Sequence, residues 1–261
     1  MNGVLRKIVA FKKQEVASLK VLKPVDNLKK VAFYNRSTYS MTNSLLAGTG
    51  VIAEFKRASP SKGVIRKEAN IDEIVSGYQR VGASAVSVLT DTKFFKAEPE
   101  DIVRARSAIS IPILRKEFII DTYQIYESKA LGADCILLIA AILSKDEIAL
   151  FQEVADDLGL QAIVEIYNEH ELAKLTGKER IIGVNNRNLD TFQVDINNSL
   201  SLASHLSSEV KITESGLNAS TNLQALIHAG FQGFLVGESF MKEANPSLAC
   251  DNFIQQIKKV S

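Results

Sequence analysis

Val51-Ile-Ala-Glu-Phe-Lys-Arg-Ala-Ser-Pro-Ser-Lys-Gly63 decides how this chain is read. Its first five residues form an apolar run broken by one acid, and the run ends in Lys56 before a polar loop. Side chains two apart on a strand point to the same side. Ile52, Glu54 and Lys56 therefore share one face, and Val51, Ala53 and Phe55 share the other. A strand apolar on both faces belongs in a parallel sheet covered by helices. Phe55 is expected to face those helices. An acid and a base at the end of such a strand are poorly explained by stability and well explained by an active site.

The pattern recurs along the chain. Pro112-Ile-Leu-Arg-Lys-Glu-Phe118 delivers Lys116, Ala162-Ile-Val-Glu-Ile166 carries Glu165, and Ile181-Ile-Gly-Val-Asn-Asn-Arg187 delivers Asn185. Lys211-Ile-Thr-Glu-Ser-Gly216 delivers Glu214 and Ser215. Eight strands are expected at about 51–55, 85–90, 112–116, 135–140, 162–166, 181–185, 211–214 and 233–237, with helical patterns between them. Asp121 with Gln124, Ser144 with Glu147, and Asn168 with Glu171 read as capping-box helix starts. Gly82, Gly132, Gly159 and Gly230 read as helix stops, each followed by a short turn and an apolar strand. Eight such units predict a (β/α)8 TIM barrel, an α/β fold whose chemistry sits at the C-terminal ends of its strands. An open doubly wound sheet also alternates strand and helix, but rarely needs eight strands of this regularity.

Residues 1–47 precede the first strand. Leu5, Ile8, Val9, Val16 and Leu19 fall at helical spacing between lysines, Pro24 ends the run, and Asp26 is placed to cap another helix. The expected organisation is an N-terminal helical extension (1–47) packed on the barrel (48–261), within a single structural domain. The chain of 261 residues carries a net charge of +1 and two cysteines, Cys135 and Cys250. That balance argues against a nucleic-acid footprint. The cysteines have no metal-ligand spacing, and no run is long enough for a membrane helix. His170, His205 and His228 share no ligand spacing either. With no leader pattern, the expected setting is cytoplasmic, without metal, nucleic acid or membrane as partner.

A barrel would bring Glu54, Lys56, Lys116, Glu165 and Glu214 together at one mouth, where buried acids and bases shift one another's pKa values. Glu214-Ser-Gly216 and Val236-Gly-Glu-Ser-Phe240 follow strands seven and eight, a recurrent phosphate site in this fold. The loop from Arg57 to about Asn70 has the length of a functional lid. Phe94 and Phe95 fit either an aromatic wall or loop packing.

Together these segments resemble the indole-3-glycerol-phosphate synthase family over essentially the whole chain. The motifs that carry the resemblance are Ile-Ala-Glu-Phe-Lys-Arg-Ala-Ser-Pro-Ser-Lys-Gly, Ser-Val-Leu-Thr-Asp, Leu-Arg-Lys-Glu-Phe-Ile-Ile-Asp, Gly-Ala-Asp-Cys-Ile-Leu-Leu-Ile, Ile-Gly-Val-Asn-Asn-Arg-Asn-Leu, Glu-Ser-Gly and Leu-Val-Gly-Glu-Ser. The resemblance implies a single-function lyase of tryptophan biosynthesis that needs no cofactor. Its reaction converts 1-(2-carboxyphenylamino)-1-deoxyribulose 5-phosphate to indole-3-glycerol phosphate, CO2 and water. It also implies residue roles. Lys116 would act at the ribulose carbonyl oxygen and Lys56 would hold the anthranilate carboxylate. Glu165 and Glu54 would serve the dehydration, with the division of steps left open. Asn185 would orient a substrate hydroxyl and Glu214 would support the lysines. Ser215, Gly216, Gly237 and Glu238 would hold the phosphate, the last three through backbone N–H groups. Ser59, Ser61 and Arg187 would contact substrate, while Phe118 and Leu137 would wall the aromatic ring. Other enzymes of the tryptophan pathway are conceivable partners.

Two departures stand out. Phe55 replaces an aliphatic or tyrosine residue on the helix-facing side. After Phe95, the family's Gly-Ser pair is replaced by Lys96-Ala-Glu-Pro, which puts the conformation of that loop in question. Two other functions compete. One is a Schiff-base aldolase using Lys116 or Lys56, and the other is a barrel that binds without catalysing.

Overall fold

Alternation along eight strands builds the structure. The computed structural model describes residues 3–189, 191–218 and 221–260. The strands are β1 (Val51–Phe55), β2 (Ala85–Leu89), β3 (Ile113–Lys116), β4 (Cys135–Ile139), β5 (Gln161–Ile166), β6 (Ile181–Asn185), β7 (Val210–Glu214) and β8 (Gly233–Val236). They pair in parallel around a closed barrel, and β1 meets both β2 and β8. Each boundary falls within one residue of the sequence reading.

Parity then divides the core in two. Val51, Ala53 and Phe55 join the apolar layer between barrel and helices, together with Ile113, Ile136, Val164 and Val184. Ile52, Leu114, Cys135, Leu137, Ile163, Ile181, Ile212 and Leu235 fill the barrel interior. Phe55 faces the helices as expected, with the Arg57 guanidinium 5.0 Å from its ring centre. The same parity carries Glu54, Lys116, Glu165, Asn185 and Glu214 to the interior at the C-terminal rim.

The N-terminal end is plugged by the helix Met41–Ala47, whose Met41 and Leu45 enter the interior cluster. Gln161 at the start of β5 accepts from the Thr42 backbone at 3.1 Å and donates to its hydroxyl at 2.8 Å. Upstream, α1 (Gly3–Leu22) buries Leu5, Ile8, Val9 and Val16, the residues whose spacing predicted it. Lys12 is also buried on this helix.

Helix starts follow the sequence with one variation. Ser144 and Glu147 form a full capping box. At the other two starts the returning side chain reaches one residue further back. Gln124 accepts from Ile120 N–H at 2.9 Å, and Glu171 accepts from Tyr167 N–H at 2.7 Å. The four stop glycines all have positive φ, as helix-ending turns require. The loop after β1 contains a small hairpin, Ala58–Ser59 against Gly63–Val64. Its base is held by Arg57, buried in a two-pronged pair with Asp101.

In the loop after β2, Lys96 adopts φ 56°, the left-handed conformation that favours glycine. The conformation carries a cost, since a side chain there strains the backbone by about 1–2 kcal/mol. Lys96 is exposed, so little else depends on it. Lys96→Gly should raise stability by about 0.5–1 kcal/mol after the entropy of glycine is counted. A thermal melt read by circular dichroism checks this, with an upward shift of about 1–4 °C expected.

Candidate active site

Strand parity leaves five ionisable groups facing one another at the rim. Lys116, at the end of β3, donates to Glu214 of β7 in a very short contact. Its ammonium lies 3.8 Å from Glu165 and 3.9 Å from Glu54. Lys56, just past β1, pairs with Glu54 at 2.7 Å. Asn185 donates its amide to Glu165 at 3.2 Å and accepts from Arg187 N–H at 2.9 Å. Glu54, Glu165, Asn185 and Glu214 are all buried.

Burial and charge then separate the protonation states. Burial pushes the Glu165 carboxyl well above the usual range, and the Glu214 carboxylate pushes it further; Lys116 opposes this only in part. Burial would raise Glu54 too, but Lys56 and Lys116 outweigh it and hold its carboxyl below the ordinary value. Burial would lower Lys116, yet Glu214, Glu165 and Glu54 overcome that and keep it a firm ammonium. Three carboxyl groups face two ammonium groups, so one proton held on Glu165 leaves the set neutral. Neighbouring groups pushed in opposite directions are what acid–base chemistry needs.

A cavity of about 680 Å³ opens on this set. Every residue to which the resemblance gives a role lines it: Glu54, Lys56, Ser59, Ser61, Lys116, Phe118, Leu137, Glu165, Asn185, Arg187, Glu214, Ser215, Gly216, Gly237 and Glu238. One side is apolar, with Leu89, Leu137, Ile139, and Phe95 against Phe118 at 6.1 Å between ring centres. Phe94 turns away and packs edge-on against Phe11 of α1. The two phenylalanines thus take both readings, one as cavity wall and one as loop packing. Across the cavity lie Ser215, Gly216, Gly237, Glu238 and Ser239, with Lys62, Arg187 and Lys242 nearby. Ser215 is held at φ 70°, an uncommon conformation for a residue with a side chain. The Glu238 carboxylate faces Arg187 at 3.6 Å and Lys62 at 3.8 Å, leaving its backbone as the part suited to an anion.

Sequence reasoning missed several walls. Val4, Leu5 and Ile8 of α1 line the cavity, as do Leu189, Phe192 and Val194 from the loop after β6. The helical spacing of Leu5 and Ile8 announced a packing face, but not what it packs over.

A match to the family model described as indole-3-glycerol phosphate synthase spans residues 5–253. The chain belongs to this family. Relatives that bear the indole-3-glycerol phosphate synthase name agree along their full length. One from Bacteroides thetaiotaomicron is 43% identical, covering 99% of this chain and 100% of its own. Another from Laribacter hongkongensis is 42% identical, covering 95% and 98%. The activity is that of the indole-3-glycerol phosphate synthase family: ring closure, decarboxylation and dehydration of a phosphorylated carboxyphenylamino sugar. Solved structures add the fold alone. Thiamine phosphate pyrophosphorylase from Pyrococcus furiosus superposes with a TM-score of 0.63 at 14% identity, covering 85% of this chain and 99% of its own. The 3-hexulose-6-phosphate synthase from Salmonella typhimurium gives 0.63 at 13%, covering 81% and 100%. No helix among the described residues is long and apolar enough to cross a membrane.

Gly237 has a measurable part in this geometry. A Cβ there would lie 2.3 Å from a Glu54 carboxylate oxygen and 2.9 Å from Glu54 Cβ. Gly237→Ala should therefore displace Glu54 from Lys56 and lower kcat/KM by at least ~10-fold, because small misplacements of reacting groups are costly. Steady-state kinetics beside a thermal melt checks this, and a folded variant with wild-type kinetics would refute it.

Proposed function

We propose that Lys116, Glu165 and Glu54 divide the proton transfers of the family's reaction, with the substrate's ring against Phe95, Phe118 and Leu137 and its phosphate at the β7 and β8 loops. The observation that carries this reading is the Lys116 ammonium set among three carboxyls, with Glu165 pushed up and Glu54 held down.

The ring carbon that bears the carboxylate attacks the C2′ carbonyl carbon, and the carbonyl π pair moves to oxygen. Lys116, a firm ammonium, donates a proton to that oxygen. Lys56 steadies the anthranilate carboxylate. The C–CO2 bond then breaks, and its electron pair restores the aromatic ring. Loss of water completes the indole. Glu165, which carries a proton, gives it to the departing C2′ hydroxyl, and a base removes a proton from C1′. Glu54, held as a carboxylate, is suited to that step. The neutral Lys116 amine left by the first step takes up a proton from solvent before the next cycle. Asn185 fixes the orientation of Glu165, and Glu214 keeps Lys116 charged and in place. Ser59, Ser61 and Arg187 contact the substrate; Ser215 and the backbone N–H groups of Gly216, Gly237 and Glu238 take the phosphate. The family resemblance implies no cofactor in these steps.

A Schiff-base mechanism needs a neutral lysine as nucleophile. The carboxyls around Lys116 work against that state. We extend the proposal to organisation: residues 1–47 and 48–261 act as one structural domain, since the cavity takes walls from both. The proposal also includes a cytoplasmic setting and contact with other tryptophan-pathway enzymes, in keeping with the family's biosynthetic role.

A fluorescence assay for indole formation from the carboxyphenylamino-deoxyribulose phosphate, without added cofactor, tests the reading directly. Lys116→Met should abolish turnover in a folded protein. Glu165→Gln should lower kcat by at least ~100-fold with little change in KM. The pH profile supplies a sign. Glu165 is raised, so it keeps its proton to higher pH than an ordinary carboxyl and loses it as pH climbs through its pKa; kcat/KM should fall on the alkaline side. Glu54 is lowered and stays ionised into acid. The residual activity of Glu165→Gln should lack the alkaline fall, and a fall that persists unchanged would assign it to another group.

A further inference from the structure

We propose that Lys12 of α1 is a positioning residue for the aromatic half of the substrate, fixing from outside the cavity the two rim loops that carry Phe95 and Phe118. The inference rests on the substrate orientation proposed above.

Lys12 is 2% exposed, although lysine is among the residues least often buried. Its ammonium meets three carboxylates: Glu15 at 2.6 Å, Asp91 at 2.9 Å and Glu117 at 3.1 Å. Asp91 follows β2, and its other oxygen accepts from Phe94 N–H at 2.6 Å, which orders the turn into Phe95. Glu117 adjoins Lys116. Its carboxylate accepts from Phe118 N–H at 2.8 Å and from the Thr90 hydroxyl at 2.7 Å. One ammonium thus ties together the loops after β2 and β3, and both deliver a phenylalanine to the cavity. Phe94 against Phe11, with Lys93 over the Phe11 ring at 3.7 Å, joins the same loop to the same helix. Lys12 does not line the cavity itself, while Leu5 and Ile8 earlier on its helix do.

Stability alone is a poor account of this cluster. Buried ion pairs seldom outperform well-packed apolar groups, because desolvation offsets their attraction. They do fix geometry, since each carboxylate must stay where its partner is. The burial that would lower Lys12 is overcome by Glu117 and Asp91, so the charge that holds the loops is present throughout the working pH range.

Lys12→Met, which keeps length and removes charge, separates positioning from general stability. The readouts are kcat and KM for the substrate, and the Ki of inorganic phosphate as probe of the far end. The variant should fold, as judged by circular dichroism, with substrate KM raised at least ~10-fold, kcat within about threefold, and phosphate Ki within about twofold. Lys12→Arg should bring KM most of the way back. An unchanged KM overturns the proposal, as does a parallel rise in KM and phosphate Ki, which would mark a loosened barrel. If Lys12→Met does not fold, Asp91→Asn decides: a raised KM with unchanged phosphate Ki supports the role, and an unchanged KM overturns it. Failure of phosphate to compete with substrate in the wild type would overturn the substrate orientation instead. The split between KM and kcat would still decide the role of Lys12.

Discussion

One ammonium among three carboxyls governs the rim of this barrel. Lys116 cannot be buried alone, and Glu54, Glu165 and Glu214 cannot be crowded together without a counter-charge. Each makes the others tolerable. The balance is incomplete by one proton, and Glu165, whose carboxyl is raised by burial and by the Glu214 charge, is the group best suited to hold it. The same imbalance that costs stability sets a proton donor opposite a carboxylate held ionised.

The fold was legible because strand parity and burial are local. Ile52, Glu54 and Lys56 on one face, and Val51, Ala53 and Phe55 on the other, could be read from six residues and a two-residue period. Helix starts were legible to within one hydrogen bond. The return bonds from Gln124 and Glu171 reach Ile120 and Tyr167, one position before the residue a full capping box would use. Side-chain reach decides that detail, and the sequence does not encode it in spacing.

Convergence at the rim was legible for a related reason. In a parallel barrel every strand runs the same way, so polar ends of apolar runs must meet. What could not be read were contacts between distant segments. The spacing of Leu5 and Ile8 announced an apolar face, yet nothing local says that it roofs a cavity formed by loops from Glu54 onward. Nothing local sets Lys12 apart from the other lysines of α1, because its partners Asp91 and Glu117 lie in other loops. The left-handed Lys96 is a further case. Nothing in the spacing of that loop announces which residue takes the left-handed conformation.

Closure of the barrel joins Val51 to Phe234, strands that stand at opposite ends of the barrel sequence. That seam is also where the candidate phosphate end of the cavity lies, with Gly237 pressed against Glu54. A partly folded chain can pair most of its strands through near neighbours and still have no complete site. Joining the ends requires closing a loop of nearly the whole barrel, the kind of long-range contact that slows folding. A complete site in this protein therefore depends on that seam, however many of the other strands have paired.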